Sequence, residues 1–126
     1  MKVLIDSSVW IDYFRSGDET NELDYLIDDN IIYINDLILT ELVPYLRLLR
    51  QTSLIEVLNE VPKLRLTIDW QQIQDFQFTC LKNGINGIGI PDLIIAQNAI
   101  LNESSIYSLD KHFRLLSDTL QFELYQ

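Results

Sequence analysis

The chain reads as an α/β fold with a mainly parallel sheet, and three features predict it. Short apolar runs rich in β-formers alternate with longer segments of helical periodicity. Helix-capping residues follow those runs directly, as in Ile5-Asp6-Ser7-Ser8. The 126 residues, 48% of them hydrophobic and spread along the chain, suffice for one core and are too few for two. A single domain over residues 1–126 is expected.

Lys2 to Ile5 is the first strand, and a helix follows from about Ser8 to Phe14. Gly17 breaks it before an acidic helix near Glu19 to Asp28, with Leu23, Leu26 and Ile27 inward. Ile31 to Ile34 is a second buried strand. From Asp36, the residues Leu37, Ile38, Leu42, Tyr45, Leu46 and Leu49 recur at helical spacing, and Pro44 is expected to kink or split that helix. A further helix runs through Leu54 to Leu58. Val61 to Ile68 is a third strand, with Pro62 near its start, where no ladder donor is needed. Asp69 caps a helix carrying Ile73, Phe76, Cys80 and Leu81, and Asn83 to Gly89 is a loop. Pro91 opens a helix that ends near Asn102. Ser105 to Leu109 and Leu120 to Tyr125 are the last strands, separated by a short helix after Asp110.

Several classes are disfavoured. No apolar run approaches the roughly 20 residues of a membrane-spanning helix, and an aspartate at position 6 precedes any signal-peptide hydrophobic region. Cys80 is the lone cysteine, which rules out an internal disulfide or a cysteine-cluster zinc site and suits a reducing cytoplasm. The formal charge of -10 counts against a polyanionic ligand. Much of that excess lies in Asp18, Glu19, Glu22, Asp24, Asp28 and Asp29, while Arg47, Arg50, Lys63, Arg65 and Lys82 offer material for a local basic groove.

Four acids carry the chemistry. In parallel sheets, ligands bind beyond the carboxyl ends of strands, and Asp6 and Asp110 each directly follow one. Glu41 interrupts an apolar helical stripe between Leu37, Ile38, Pro44 and Tyr45, and Asp92 repeats the anomaly within Ile-Gly-Ile-Pro-Asp-Leu-Ile-Ile-Ala. An ionised carboxylate among apolar neighbours needs a base, a proton or a metal. Four acids converging repel one another, and a divalent cation removes the conflict. All-oxygen ligation favours magnesium or manganese. Such an ion lowers the pKa of bound water and stabilises the charge of an in-line phosphodiester displacement, so phosphate-ester hydrolysis follows. Ser7 is placed to orient a water or the phosphate. Each acid alone also reads as a helix cap or a turn residue; Glu41 fits that reading least.

The blocks Leu-Ile-Asp-Ser-Ser-Val-Trp, Leu-Thr-Glu-Leu, Pro-Asp-Leu-Ile-Ile-Ala and Tyr-Ser-Leu-Asp-Lys-His-Phe resemble, in order and spacing, the signature blocks of PIN domains, especially the VapC toxins. The resemblance covers essentially the whole chain. It implies a three-layer α/β/α fold around a central five-stranded sheet, and makes Asp6, Glu41, Asp92 and Asp110 the catalytic, metal-binding acids with Ser7 accessory. It further implies a magnesium-dependent endoribonuclease, with manganese as a substitute, that acts on RNA, forms a homodimer and is inhibited by a VapB-like antitoxin. Ser108 stands where the family commonly has threonine and keeps the hydroxyl.

Other signals are weaker. His112 is the sole histidine, which excludes a two-histidine mechanism; it reads as a surface or packing residue beside Phe113, with contact to substrate as the alternative. Asp12 reads as part of a solvated helix face, Cys80 as inert packing, and Gly84, Gly87 and Gly89 as loop freedom without the lysine of a phosphate-binding loop. An aspartyl-nucleophile phosphatase wants an acid where Ser8 stands. The contrasting reading is a catalytically silent RNA-binding or protein-interaction module of the same fold.

Overall fold

A computed structural model describes residues Met1–Gln126. Three strands form its sheet: β1 (Val3–Ile5), β2 (Ile32–Tyr33) and β3 (Ser105–Tyr107). All pair in parallel, in the order β2-β1-β3, with Val3 opposite both Ile32 and Ser105. Seven helices connect and cover them: α1 (Ser7–Arg15), α2 (Glu22–Asp28), α3 (Asp36–Leu48), α4 (Thr52–Glu60), α5 (Trp70–Lys82), α6 (Ile90–Leu101) and α7 (Lys111–Leu120).

Successive residues Val3, Leu4 and Ile5 are all fully buried, so both faces of the central strand are covered. This is why β1 shows no polar alternation in sequence. Helix α6 packs on β3 and against α5 and α7, whereas α3 packs against α1 and α4. Trp10 of α1 is buried, edge-on to Tyr13 and tilted against Phe14. No helix is long and apolar enough to cross a membrane.

The expected five-stranded sheet is corrected to three strands with a single bridge at each edge, Lys63 beside Ile34 and Leu124 beside Ile106. Residues 61–68 form no named strand, yet burial alternates along them: Leu64 is buried, Leu66 and Ile68 are half-buried, and Lys63, Arg65 and Thr67 between them are exposed. The period is that of a strand, but β2 is too short to pair with it. Only Ile34 engages, donating to the Pro62 carbonyl at 3.0 Å and accepting from the Leu64 amide at 2.8 Å. Side chains of α6 take over beyond that point. Asn98 Nδ2 donates to the Arg65 carbonyl at 2.9 Å, and Gln97 bonds both the amide and the carbonyl of Asp69 at 3.1 Å. Buried amides thus satisfy a backbone that a ladder would otherwise pair. At the other edge, α7 runs on to Leu120 and closes at Gln121 in the left-handed region (φ 60°), leaving three residues to reach Ile106. Pro44 does not split α3, which continues to Leu48. Thr40, whose carbonyl loses its partner, lies on the exposed side, where water can replace it.

Asp12 is not on a free helix face: its Oδ2 accepts from Thr20 Oγ1 at 2.8 Å and from the Glu19 amide at 3.2 Å, fastening the turn before α2. Cys80 is buried.

Candidate metal centre

In the order β2-β1-β3, the chain leaves β1 toward one side and later returns to the other, so β1 and β3 bound the crevice where the strand order reverses. Asp6 and Asp110 lie just beyond the carboxyl ends of those two strands. The Asp6 amide donates to the Tyr107 carbonyl at 2.9 Å, carrying the β1-β3 ladder right up to the acid.

Asp6 is buried and caps α1. Its Oδ2 accepts from Ser8 Oγ at 2.7 Å, from Ser108 Oγ at 2.8 Å and, more weakly, from the Ser8 amide at 3.4 Å. These bonds all fall on one oxygen, leaving Oδ1 without a protein partner. The two serines also accept: Ser8 Oγ from the Leu109 amide at 3.0 Å and Ser108 Oγ from the Asp110 amide at 2.9 Å. A hydroxyl latch therefore ties the β1-α1 junction to the β3-α7 junction and holds Asp6 and Asp110 in register. Asp110 in turn caps α7 through the His112 amide at 2.9 Å.

Asp92 sits in the first turn of α6, after the Gly89 cap and Pro91. Its pKa is raised, first by burial and then by repulsion from Asp110 and Asp6, while His112 and the Gly89 backbone oppose the shift. The helix terminus therefore does not by itself keep this acid at its ordinary value.

Glu41 departs from expectation in its surroundings. The buried stripe of α3 runs through Ile38, Leu39, Leu42 and Leu46, whereas Glu41, Pro44 and Tyr45 are exposed. Its carboxylate nevertheless belongs to the cluster: partial desolvation, then Asp6 and Asp92, raise its pKa, and a hydrogen bond from Ser7 works the other way. Ser7, on the first turn of α1, thus favours the ionised form of Glu41.

Glu41 thus lies within electrostatic reach of Asp6 and Asp92, and Asp92 of Asp6 and Asp110, although the four come from the β1-α1 junction, α3, α6 and the β3-α7 junction. Ligand atoms of Asp92, Asp110 and His112 lie within 4.8 Å of one another. His112 Nδ1 stands 3.4 Å from Asp110 Oδ1 and 3.9 Å from Asp92 Oδ2, so the histidine set aside as packing lines the cluster. Gly87 has φ +80°, and a side chain there would reach van der Waals contact with His112 Nε2. The donor set fits a divalent cation: the acids outnumber nearby bases, two of them are pushed toward protonation, and Asp6 keeps a free oxygen.

Sequence reasoning missed Ser8. The signal lay in the pair of hydroxyls after a strand-terminal aspartate, one for each neighbouring acid. His112 could have been found from its position two residues after Asp110, the spacing at which a cap residue and its helix meet.

Comparison with known proteins follows the same lines. No curated protein sequence matches the chain. Among solved structures, VapBC2 from Rickettsia felis, bound to a DNA fragment from their promoter, is similar with a TM-score of 0.79 at 17% identity, covering 99% of this chain and 98% of that one. FitAcB from Neisseria gonorrhoeae is similar with a TM-score of 0.70 at 18% identity, covering 98% and 96%. DNA-bound VapBC from Salmonella typhimurium gives 0.68 at 16%, covering 99% and 97%. At such identities these likenesses establish the fold. The PIN domain family itself matches residues 3–118, and with the α/β architecture and the acidic cluster this chain belongs to it.

Proposed function

We propose that residues 1–126 form one PIN domain acting as a magnesium-dependent endoribonuclease, the toxin of a VapBC-type toxin-antitoxin pair. The observation that carries the reading is the convergence of four carboxylates from four elements beside the β1-β3 crevice. Asp6, Glu41, Asp92 and Asp110 would hold the cation, magnesium or manganese, with His112 at the edge of the set. When bound, such an ion supplies an activated water and offsets charge on a phosphodiester. Ser8 and Ser108 fix Asp6, leaving its second oxygen for the site. Ser7 opposes the upward shift of Glu41 and would orient the scissile phosphate. A reducing cytoplasm suits the lone, buried Cys80.

Two surfaces support the partner assignments. A VapB-like antitoxin has an apolar cleft of about 190 Å³ between α1, α3 and α4, walled by Ile11, Phe14, Leu42, Tyr45 and Leu54. A second copy of the chain has the exposed α5 face of Trp70, Phe78 and Leu81. Phe78→Glu is expected to convert a dimer to a monomer in sedimentation velocity; a monomeric wild type, or an unchanged dimer, would remove this assignment.

The test of the activity is direct. Purified chain is expected to cut a mixed-sequence single-stranded RNA in millimolar magnesium, and excess chelator to stop it. Cleavage undiminished by chelator would overturn the metal-dependent reading. The acidity of the chain, -10 overall, is what favours the second reading, a silent interaction module; RNA binding without cleavage in ample magnesium and manganese would select it.

A further inference from the structure

The acidic character of this chain makes its unpaired bases informative. The first turns of α7 carry Lys111 and Arg114, three residues apart and therefore on one helix face. Both are exposed, and both line a cavity of about 160 Å³ together with Ser108, Asp110 and Tyr125. Neither takes part in an ion pair: the close pairs are Lys63 with Asp36 and His112 with Asp92 and Asp110. In a chain of 19 acids and nine bases, intramolecular pairing does not explain two free cations side by side.

Their location is equally specific. Ser108 and Asp110 belong both to this cavity and to the acidic cluster, since Ser108 Oγ bonds Asp6 and Asp110 meets His112 and Asp92. The cavity thus opens directly beside the proposed reaction centre. An RNA strand approaching four carboxylates meets repulsion at the centre and needs compensating cations at its flank. Lys111 offers a point charge and Arg114 a planar fork suited to phosphate oxygens.

We propose that this cavity is a phosphate subsite, in which Lys111 and Arg114 hold a backbone phosphate of the RNA flanking the scissile one. The inference rests on the endoribonuclease reading above and adds to it the surface that the strand follows. A phosphate grip positions without reading sequence, so it governs affinity and KM more than the chemical step. The basic residues singled out in mid-chain, Arg47, Arg50, Lys63, Arg65 and Lys82, are not needed for it.

Binding is measured by fluorescence anisotropy of a labelled single-stranded RNA in magnesium, using an Asp92→Asn background that prevents cleavage, across a series of salt concentrations. Adding Lys111→Gln and Arg114→Gln is expected to weaken binding about tenfold at low salt and to flatten the log-log salt dependence by about 0.7, one phosphate of a single strand. In the Asp92-containing protein the same pair should raise KM about tenfold and leave kcat within about twofold. Arg47→Gln with Arg50→Gln, which removes the same charge elsewhere, should leave affinity and slope in place. An unchanged slope in the Lys111/Arg114 variant, or an equal loss in the Arg47/Arg50 control, overturns the subsite while leaving the nuclease reading intact. Absence of cleavage by the protein with Asp92 in place, in ample magnesium and manganese, would overturn both.

Discussion

Asp92→Asn is expected to lower RNA cleavage at least about 100-fold, since even outer-shell partners of a metal cost 10- to 100-fold when lost, and yet to raise the melting temperature of the metal-free protein. The two effects have one cause. Burial and the neighbouring Asp110 and Asp6 raise the pKa of Asp92, so the folded state holds its proton more tightly than the unfolded chain does. A group whose folded pKa is raised gives stability that is full below its unfolded pKa and is lost as pH rises through the folded value. At neutral pH the ionised acid is therefore a liability in the absence of metal. The amide removes the charge and keeps the shape. A gain of about 1 kcal/mol, roughly 3–6 °C for a chain of this length, is the scale of relieving one such conflict. The gain should shrink as the pH falls into the carboxylate range, where the native acid is already neutral. Saturating magnesium should reverse the order, because wild type gains about 2.7 kcal/mol at a hundredfold excess over Kd and the variant much less. Thermal melts with and without magnesium at several pH values check this. A variant less stable than wild type without metal, or one that still cleaves at the native rate, would remove Asp92 from the proposed centre.

How much of this was legible in the sequence depends on the distance over which each signal acts. Local chemistry read well: Asp6 and Asp69 each cap the helix that follows, as their positions after apolar runs imply, and Asp110, read as the start of a turn, caps α7 as well. The strand expected at 61–68 does not form, although its burial alternates from Lys63 to Ile68 as a strand's would. What no local pattern discloses is whether a neighbour is long enough to pair with it, and here the partners are Asn98 and Gln97 from a helix some 30 residues on. Glu41 shows the opposite case. Its apolar neighbours at helical spacing suggested burial, but Pro44 and Tyr45 turn outward and the acid lies at the rim; the helix phase was off by about one residue, enough to change a buried group into an exposed one. Its nearness to Asp6 and Asp92 is a tertiary fact that spacing cannot supply. Ser8 and Ser108 are a hundred residues apart, and their meeting is set by the parallel pairing of β1 with β3.

Asp6→Ala is expected to be the most destabilising single change at the centre, in direct contrast to Asp92→Asn. Asp6 is buried, caps α1, and is the common acceptor for Ser8 and Ser108. Loss of a helix cap costs about 1 kcal/mol, and hydrogen bonds to a charged group contribute about 1.5–3 kcal/mol each. Some of that loss is offset because Glu41 and Asp92 are freed from a neighbouring charge. A net cost of about 2–4 kcal/mol remains, a large share of the 5–15 kcal/mol available to a domain. Asp6→Asn, which retains an acceptor oxygen for the cap, should cost only about 1 kcal/mol. Urea unfolding of the two variants beside Ser8→Ala and Ser108→Ala checks the latch: the serine changes should each cost about 1.5–3 kcal/mol in the wild type and about 1 kcal/mol in Asp6→Ala, where only the backbone amide that each serine accepts from is still to be lost. Equal serine costs in both backgrounds would mean that Asp6 does not hold the two junctions together. The difference also decides how activity data are to be read. Cleavage lost in Asp6→Ala is confounded by a weakened fold, whereas cleavage lost in Asp6→Asn, at nearly native stability, isolates the charge that the centre requires.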